Sequence, residues 1–345
     1  MIHGTSAAVE SVSWQSLLAR SITDPQQLLD RLKLDSVLLD GARAASADFA
    51  LRVPEPYLDR MQAGNPDDPL LRQVLPLGEE LLEHPDFIID PLGEQHTNAR
   101  PGVIHKYHGR LLLIVSGGCA VNCRYCFRRH FPYGDNNLST REWQQALDYI
   151  RQDPSIREVI YSGGDPLAAS DKRLAWLTAE IASIAHVRRL RVHTRLPVVI
   201  PQRVTDELIE ALCSTRLPVT MVLHCNHANE IDQHLGNAIR RLKQAGILLL
   251  NQTVLLKGVN DNIDDLVSLS ESLGDHGILP YYLHVLDHVK GAQHFHVDDG
   301  AASGLAAEML ARLPGFLVPR LVREVAGETS KTPLPFGPKT GSRLA

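Results

Sequence analysis

Residues 111–126 read LLLIVSGGCAVNCRYC, a strand-like apolar run followed by three closely spaced cysteines, Cys119, Cys123 and Cys126. Four thiolates normally hold a [4Fe–4S] cluster, so a set of three leaves one iron with an open coordination position. A substrate or a cofactor can bind at that position. The missing fourth ligand therefore indicates chemistry at the metal.

Zinc is the alternative metal for the same cysteines. His130 follows Cys126, and three cysteines with one histidine at such spacings can close a tetrahedral zinc site. The motif alone favours neither metal. The rest of the chain has to decide between them.

The composition is typical of a well-cored globular protein. The 345 residues suffice for one large or two ordinary domains, and 44% are hydrophobic and 22% charged. A formal net charge of −5 argues against nucleic-acid binding, which needs a clustered basic excess. A small-molecule substrate is the better expectation.

Cysteine usage and hydropathy indicate a cytoplasmic location. The five cysteines are few and odd in number, which argues against a secreted disulfide framework. Residues 1–15 lack the pattern of a secretory signal, and no stretch approaches the roughly 18 apolar residues that a membrane span requires. We expect a protein of the reducing cytosol without a membrane segment.

From about residue 100 onward, strand-like apolar runs alternate with amphipathic helices. The six runs are residues 111–116, 158–162, 190–195, 219–223, 247–255 and 280–286. Helical crossovers join parallel strands, so the pattern predicts an α/β fold with a partial (β/α)6 barrel, or a full barrel if further strands exist. We assign residues 1–98 to a helical accessory region, 99–300 to the barrel and 301–345 to a C-terminal segment.

The cysteines lie where a barrel of this kind places its active site, at the carboxyl ends of the strands. Cys119 follows the first predicted strand, and Gly163-Gly164-Asp165-Pro166 follows the second. In isolation, such a glycine-rich stretch is more often a plain tight turn. Its position next to the cysteines favours a turn that binds a ligand.

Several motifs together resemble the lysine 2,3-aminomutase family of radical S-adenosylmethionine (SAM) enzymes. Within that family, the chain is most similar to the shorter branch whose (R)-β-lysine product is ligated to elongation factor P. Only fourteen residues follow Lys331, whereas the catabolic branch carries a longer tail. The motifs are residues 64–74, 119–133, 162–167, 195–203, 227–230, 251–261, 281–287 and 330–333.

The resemblance implies the cofactors and the residues that hold them. Cys119, Cys123 and Cys126 would bind the [4Fe–4S] cluster, and SAM would supply the missing ligand to the fourth iron. Gly163, Gly164 and Asp165 would hold the amino end of SAM, where glycine allows the backbone to approach closely.

Lys331 would carry the second cofactor, pyridoxal 5′-phosphate (PLP). A lone lysine in this position is ordinarily solvated, so only the resemblance assigns it to the Schiff base. Lys106, Tyr107, Arg110 and Arg195 are weaker candidates for contacts with the PLP phosphate, because a basic residue beside a strand is usually exposed at an edge.

Substrate-binding residues also follow from the resemblance. Arg128 matches the position of the guanidinium that binds the substrate carboxylate. Asp287 and Glu324 match the two carboxylates that bind the distant ammonium of lysine, and either would otherwise read as an ordinary ion-paired acid. Glu324 departs from the catabolic branch, which has Asp there, and its longer side chain leaves the substrate pose and the product stereochemistry open.

The implied reaction converts L-α-lysine to β-lysine. A 5′-deoxyadenosyl radical removes hydrogen from Cβ, and the amino group migrates from Cα to Cβ while PLP carries it. A flavodoxin or ferredoxin would supply the electron, and a separate ligase would transfer β-lysine to elongation factor P. The alternatives are a catabolic or osmolyte-forming aminomutase acting on lysine or, less favoured, glutamate, and a non-enzymatic zinc protein built on the three cysteines and His130.

Overall fold

In the computed structural model of the protein, the described residues are 12–94, 98–133 and 138–337. Ten strands form one sheet in chain order, namely β1 (Asn98–Arg100), β2 (Val103–Tyr107), β3 (Arg110–Ser116), β4 (Glu158–Gly163), β5 (Arg189–Thr194), β6 (Val219–His224), β7 (Leu248–Val254), β8 (Leu279–His284), β9 (Arg320–Arg323) and β10 (Thr332–Pro333). The strands from β3 to β9 are parallel. At the edges, β1, β2 and β10 pair antiparallel with their neighbours.

The six predicted strands are all confirmed, as β3 to β8. The sequence missed β9, which extends the parallel part of the sheet by one more strand. It also missed the antiparallel strands at both edges. Within the described ranges β3 does not pair with β9, so the barrel is partial, as predicted.

Alternation along the parallel strands produces a core on one face and a cavity on the other. In β7, Leu249 is buried in the main hydrophobic core together with Leu242 of the preceding helix. The alternate residues Leu250, Gln252 and Val254 line an internal cavity. The helices therefore pack outside the curved sheet, and the inner face is left for a ligand.

The helices are α1 (Trp14–Ala19), α2 (Pro25–Leu32), α3 (Leu39–Asp48), α4 (Glu55–Leu58), α5 (Pro69–Arg72), α6 (Thr140–Gln152), α7 (Asp171–Ala182), α8 (Leu196–Val199), α9 (Asp206–Cys213), α10 (Gln233–Gln244), α11 (Ile263–Asp275) and α12 (Asp299–Arg312). The first helix after β3, α6, begins with a capping box between Ser139 and Glu142. Its buried face repeats at helical spacing and consists of Trp143, Ala146, Leu147 and Ile150. None of the helices in the described ranges has the length and apolar character that crossing a lipid bilayer requires.

The short helices α1 to α5 pack against the barrel and support the cysteine loop, residues 117–126, which follows β3. Trp14, Leu28 and Tyr57 belong to the same hydrophobic core as the barrel residues. Arg124, between the second and third cysteines, is fully buried and binds Glu80 with Nε–Oε1 and Nη2–Oε2 distances of 2.8 and 2.6 Å. The N-terminal region therefore fixes one side of the loop that carries the cysteines.

Candidate active site

One cavity of about 1010 Å³ contains every site residue that the sequence predicted. It occupies the inner face of the barrel and reaches the loops that follow the carboxyl ends of the strands. The residues are Cys119, Cys123, Cys126, Gly163, Gly164, Asp165, Arg128, Asp287, Glu324, Lys331, Lys106, Tyr107, Arg110 and Arg195. The fold thus brings together residues that lie as far apart in the chain as Lys106 and Lys331.

The three thiols lie close enough to perturb one another. Burial and then the neighbouring Cys126 raise the pKa of Cys119 well above its usual range. Burial and then Cys123 raise the pKa of Cys126 to about 11. Thiols of this kind remain protonated at neutral pH unless a metal stabilises their thiolates, and iron would provide that stabilisation.

The arrangement fits a cluster better than a single zinc ion. Within the described ranges, no set of three or more His, Cys, Asp or Glu side chains converges to hold one ion. Nε2 of His130 lies 3.2 Å from the carbonyl oxygen of Lys290. Zinc needs four ligands within roughly 2.3 Å of one point, whereas the cysteines of a [4Fe–4S] cluster bind different irons. The Cys3His zinc alternative therefore loses its support.

The glycine turn after β4 packs directly on the cysteine loop. Gly163 has φ of 124°, which favours glycine, and a Cβ there would lie 2.3 Å from the carbonyl oxygen of Ser116. A Cβ on Gly164 would lie 2.7 Å from the carbonyl oxygen of Gly118 and 2.9 Å from Sγ of Cys119. Only glycine lets the turn approach the cysteines this closely, which fits the expected cradle for SAM.

Replacing Gly164 with alanine should therefore reduce the iron content after anaerobic reconstitution, because the new methyl group displaces Cys119 or the turn. We expect a loss of stability of about 1–3 kcal/mol, typical of overpacking. Gly304→Ala is the matched control, since no heavy atom lies within 4 Å of its Cβ position in α12. That helical substitution should stabilise by about 0.4–1 kcal/mol. Full iron binding by Gly164→Ala would contradict the close approach.

The side chain of Asp165 is bound by protein groups. Its carboxylate is buried and accepts hydrogen bonds from backbone N–H groups of Leu167 (3.0 Å), Arg195 (2.8 Å) and Leu196 (2.8 Å), and from Oγ1 of Thr194 (2.7 Å). These donors occupy lone pairs of the carboxylate and tie the turn after β4 to the end of β5. The contact of Asp165 with the amino end of SAM stays a prediction.

Arg195 lies in the cavity, beside the cysteines. Its guanidinium is directed at the cysteines, and Nη1 is 2.8 Å from Sγ of Cys123. Nη2 is held by Gln73 at 2.7 Å and by Glu230 at 3.0 Å. Both terminal nitrogens are thus bound by protein groups, and the contact of Arg195 with the PLP phosphate stays a prediction.

Arg128 is engaged by an acid that the sequence did not single out. Glu94 binds it bidentately, with Nε–Oε2 and Nη2–Oε1 distances of 2.6 and 3.0 Å. Nη1 donates to Ser162 at 3.1 Å. A substrate carboxylate would therefore meet an arginine whose orientation is already fixed, with most of its donors in use. Glu94 lies outside the motifs, in a proline- and glycine-containing loop, so no sequence pattern identified it.

Glu324 joins Lys106 and Lys331, which are the lysines that line the cavity among the described residues. One oxygen lies 3.2 Å from Nζ of Lys106 and 3.2 Å from the hydroxyl of Tyr107, and the other lies 2.5 Å from Nζ of Lys331. Burial opposes ionisation of Glu324, but Lys331 and then Lys106 outweigh it and hold its pKa well below the usual range. Lys106 and Tyr107 thus position Glu324, and their contact with the PLP phosphate stays a prediction.

Asp287 is the second acid of this part of the cavity. Burial, followed by the negative charge of Glu324, raises the pKa of Asp287 to about 7. Lys331 acts in the opposite direction but does not cancel these effects. A cation that enters the cavity would stabilise the carboxylate form of Asp287, because its positive charge would offset both causes of the raised pKa.

The inner face also fits PLP around Lys331. Nε2 of His193 and Nε2 of His284 line the cavity, are buried, and have no hydrogen-bond partner among the described residues. A bound molecule with polar groups would satisfy them. Arg110 adds positive charge nearer the amino ends of the strands, which would favour a phosphate, and the neighbouring Arg191 is paired with Glu158 at 2.7 Å. Alternation within β5 and β8 is the signal that would have identified His193, Arg191 and His284.

Comparison with known proteins identifies the family of this chain. Residues 113–269 match the model of the Radical SAM superfamily. The chain is 53% identical over 323 residues to L-lysine 2,3-aminomutase of Escherichia coli (strain K12), covering 93% of this chain and 94% of that protein. The chain is 50% identical to the Haemophilus influenzae protein of the same name, and the match covers 94% of this chain and 96% of that protein. It is 32% identical to the Clostridium subterminale protein of that name, and the match covers 93% of this chain and 77% of that protein. This chain belongs to the L-lysine 2,3-aminomutase family of radical SAM enzymes.

Proposed function

We propose that the protein converts L-α-lysine to β-lysine and uses PLP as well as the cluster and SAM. The observation that carries the proposal is the group formed by Lys331, Glu324 and Asp287 in the same cavity as the cysteine loop. When bound, the cluster and SAM supply a primary carbon radical, and PLP supplies a carbonyl group that carries the migrating amino group.

The residues of the chain would divide the work as follows. Cys119, Cys123 and Cys126 bind the cluster, and the enclosing barrel excludes water from a radical that reacts with most C–H bonds. Lys331 provides the amine that attaches PLP covalently. Its 2.5 Å contact with Glu324 keeps the amine oriented toward the cavity.

Charge favours lysine over glutamate as the substrate. The side-chain ammonium of lysine would enter between Asp287 and Glu324, and its charge would compensate the acid whose pKa is raised. A glutamate side chain would bring a third carboxylate next to these two, which is strongly unfavourable in a buried site. Arg128 would attract the α-carboxylate of either substrate through the donor that Glu94, Ser162 and Gly163 leave available.

We further propose that the product is (R)-β-lysine destined for elongation factor P. The support is the similarity to the shorter family members, since the chain covers 94% of the Escherichia coli relative but 77% of the Clostridium subterminale relative. A separate ligase would attach the product, and a flavodoxin or ferredoxin of the cytoplasm would reduce the cluster. A catabolic lysine aminomutase is the competing assignment.

A chiral product assay tests the proposal. The anaerobically reconstituted protein is incubated with SAM, a reductant and either L-lysine or L-glutamate, and the β-amino acids are separated by chiral chromatography. We expect (R)-β-lysine from lysine and no β-glutamate. Formation of (S)-β-lysine would favour the catabolic assignment, and β-glutamate without β-lysine would refute lysine as the substrate.

A further inference from the structure

Arg195 is a buried cation placed directly against one proposed cluster ligand. It follows β5, is 6% exposed, and its Nη1 donates to Sγ of Cys123 at 2.8 Å. Its backbone N–H is anchored to the carboxylate of Asp165 at 2.8 Å. The side chain is thus fixed at both ends and cannot turn away from the sulfur without breaking several contacts.

A dedicated polar network keeps the charge of Arg195 in this position. Glu230 is fully buried and binds Nη2 at 3.0 Å. The remaining partners are neutral and are the side chains of Gln73, Tyr57 and Tyr125. A guanidinium is always protonated in proteins, and burying it without an acid would be costly. The chain supplies that acid on the side of Arg195 that faces away from the cysteine.

We propose that Arg195 is a positioning residue for the cluster, orienting Cys123 and raising the reduction potential of the iron–sulfur centre. The inference rests on the cluster that family membership and the three cysteines imply. On reduction, one electron from a flavodoxin- or ferredoxin-class donor enters the cluster and makes it more negative by one charge. A cation that donates a hydrogen bond to a ligand sulfur stabilises this added charge, and hydrogen bonds to the sulfurs are known determinants of cluster potentials.

The orientation of the Arg195–Glu230 pair predicts the direction in which each substitution shifts the reduction potential. Nη1 of Arg195 contacts the sulfur, whereas the compensating Glu230 binds the other terminal nitrogen, so the positive end of the pair is nearer to the cluster. Removing the cation should shift the potential to more negative values. Removing the acid should shift it to more positive values, because the charge of Arg195 is then uncompensated.

The test is a potentiometric titration of the reconstituted, SAM-free protein, followed by electron paramagnetic resonance of the reduced cluster. Arg195→Gln is expected to shift the midpoint potential to more negative values and to change the spectrum. Glu230→Gln is expected to shift the potential in the opposite direction. Glutamine at position 230 keeps an acceptor oxygen for the backbone N–H groups of Asn226 and His227, so the local turn is retained.

Arg203→Gln is the matched control, because Arg203 is also fully buried but donates to the carbonyl oxygens of Leu167 and Ala169 and to no cysteine. The midpoint potential of the cluster in Arg203→Gln should remain that of the wild type. An unchanged potential in both Arg195→Gln and Glu230→Gln, at full iron content, would overturn the inference. If Arg195→Gln does not retain iron, the sign of the shift in Glu230→Gln decides. A wild-type protein that binds no iron would overturn the cluster assignment and this inference with it.

Discussion

Replacing Lys331 with alanine should abolish aminomutase activity and yield a protein without covalently bound PLP. The amine of Lys331 lies in the cavity and contacts Glu324 at 2.5 Å. Among the described residues that line the cavity, the one other lysine is Lys106, and its amine cannot take over this role because it is bound between Glu94 and Glu324. We expect an activity loss of at least about 10³-fold, as for removal of other covalent nucleophiles.

The measurement is reduction with borohydride after reconstitution with PLP, followed by mass spectrometry of the peptide that contains residue 331. The wild type should carry the reduced adduct at Lys331, and Lys331→Ala should carry none. Lys331→Arg retains a cation next to Glu324 and should also carry no adduct, which separates loss of the amine from loss of charge. Lys290→Ala changes an exposed lysine and should behave as the wild type. An adduct at another lysine would refute the assignment.

The barrel could be predicted because each of its strands from β3 to β8 has a recognisable local sequence pattern. Each run from β3 to β8 is apolar, of strand length and followed by a helix with clear end signals, so local residues determine the element. β9 and β10 escaped prediction because Arg320–Arg323 and Thr332–Pro333 are too short and too polar to form a pattern. Their place in the sheet depends on pairing with β8 and with each other.

The composition of the site was predictable, but the partners of its charged residues were not. Motifs placed Lys331, Arg128 and Arg195 in the cavity. The pairing of Arg128 with Glu94 depends on a loop that has no motif, and the pairing of Arg195 with Glu230 depends on how β5 and the loop after β6 meet. A buried charge takes the nearest acid that satisfies it, and the sequence does not show which acid that is.

Asp287→Asn should weaken lysine binding and remove the part of its pH dependence that is due to Asp287. In the substrate-free protein the pKa of Asp287 is raised to about 7, whereas the side-chain ammonium of lysine stays charged up to about pH 10. Lysine affinity of the wild type should therefore rise as the pH increases through 7, because Asp287 becomes a carboxylate. Loss of a buried charge partner typically costs about 2–5 kcal/mol, which corresponds to a decrease in affinity of roughly 30-fold or more at pH 8.

Equilibrium binding of lysine to the PLP-loaded, unreduced protein between pH 6 and 9 measures this effect. Asp275→Asn, at an exposed acid at the end of α11, serves as the control and should retain the wild-type profile. An unchanged affinity and profile in Asp287→Asn would exclude Asp287 as the partner of the ammonium. In that case Glu324 alone would have to bind the lysine side chain.

The same substitution should stabilise the substrate-free protein, and the sign follows from proton linkage. An acid whose pKa is raised on folding binds more protons in the folded than in the unfolded state between about pH 4 and 7. Its contribution to stability is therefore complete below pH 4 and is lost as the pH rises through 7. Asparagine does not titrate and avoids this loss. The melting temperature of Asp287→Asn minus that of the wild type should therefore be larger at pH 8 than at pH 5. A variant that binds lysine poorly yet melts higher at pH 8 would identify Asp287 as an acid kept in a costly state for its substrate. A structural acid would lose stability on the same change.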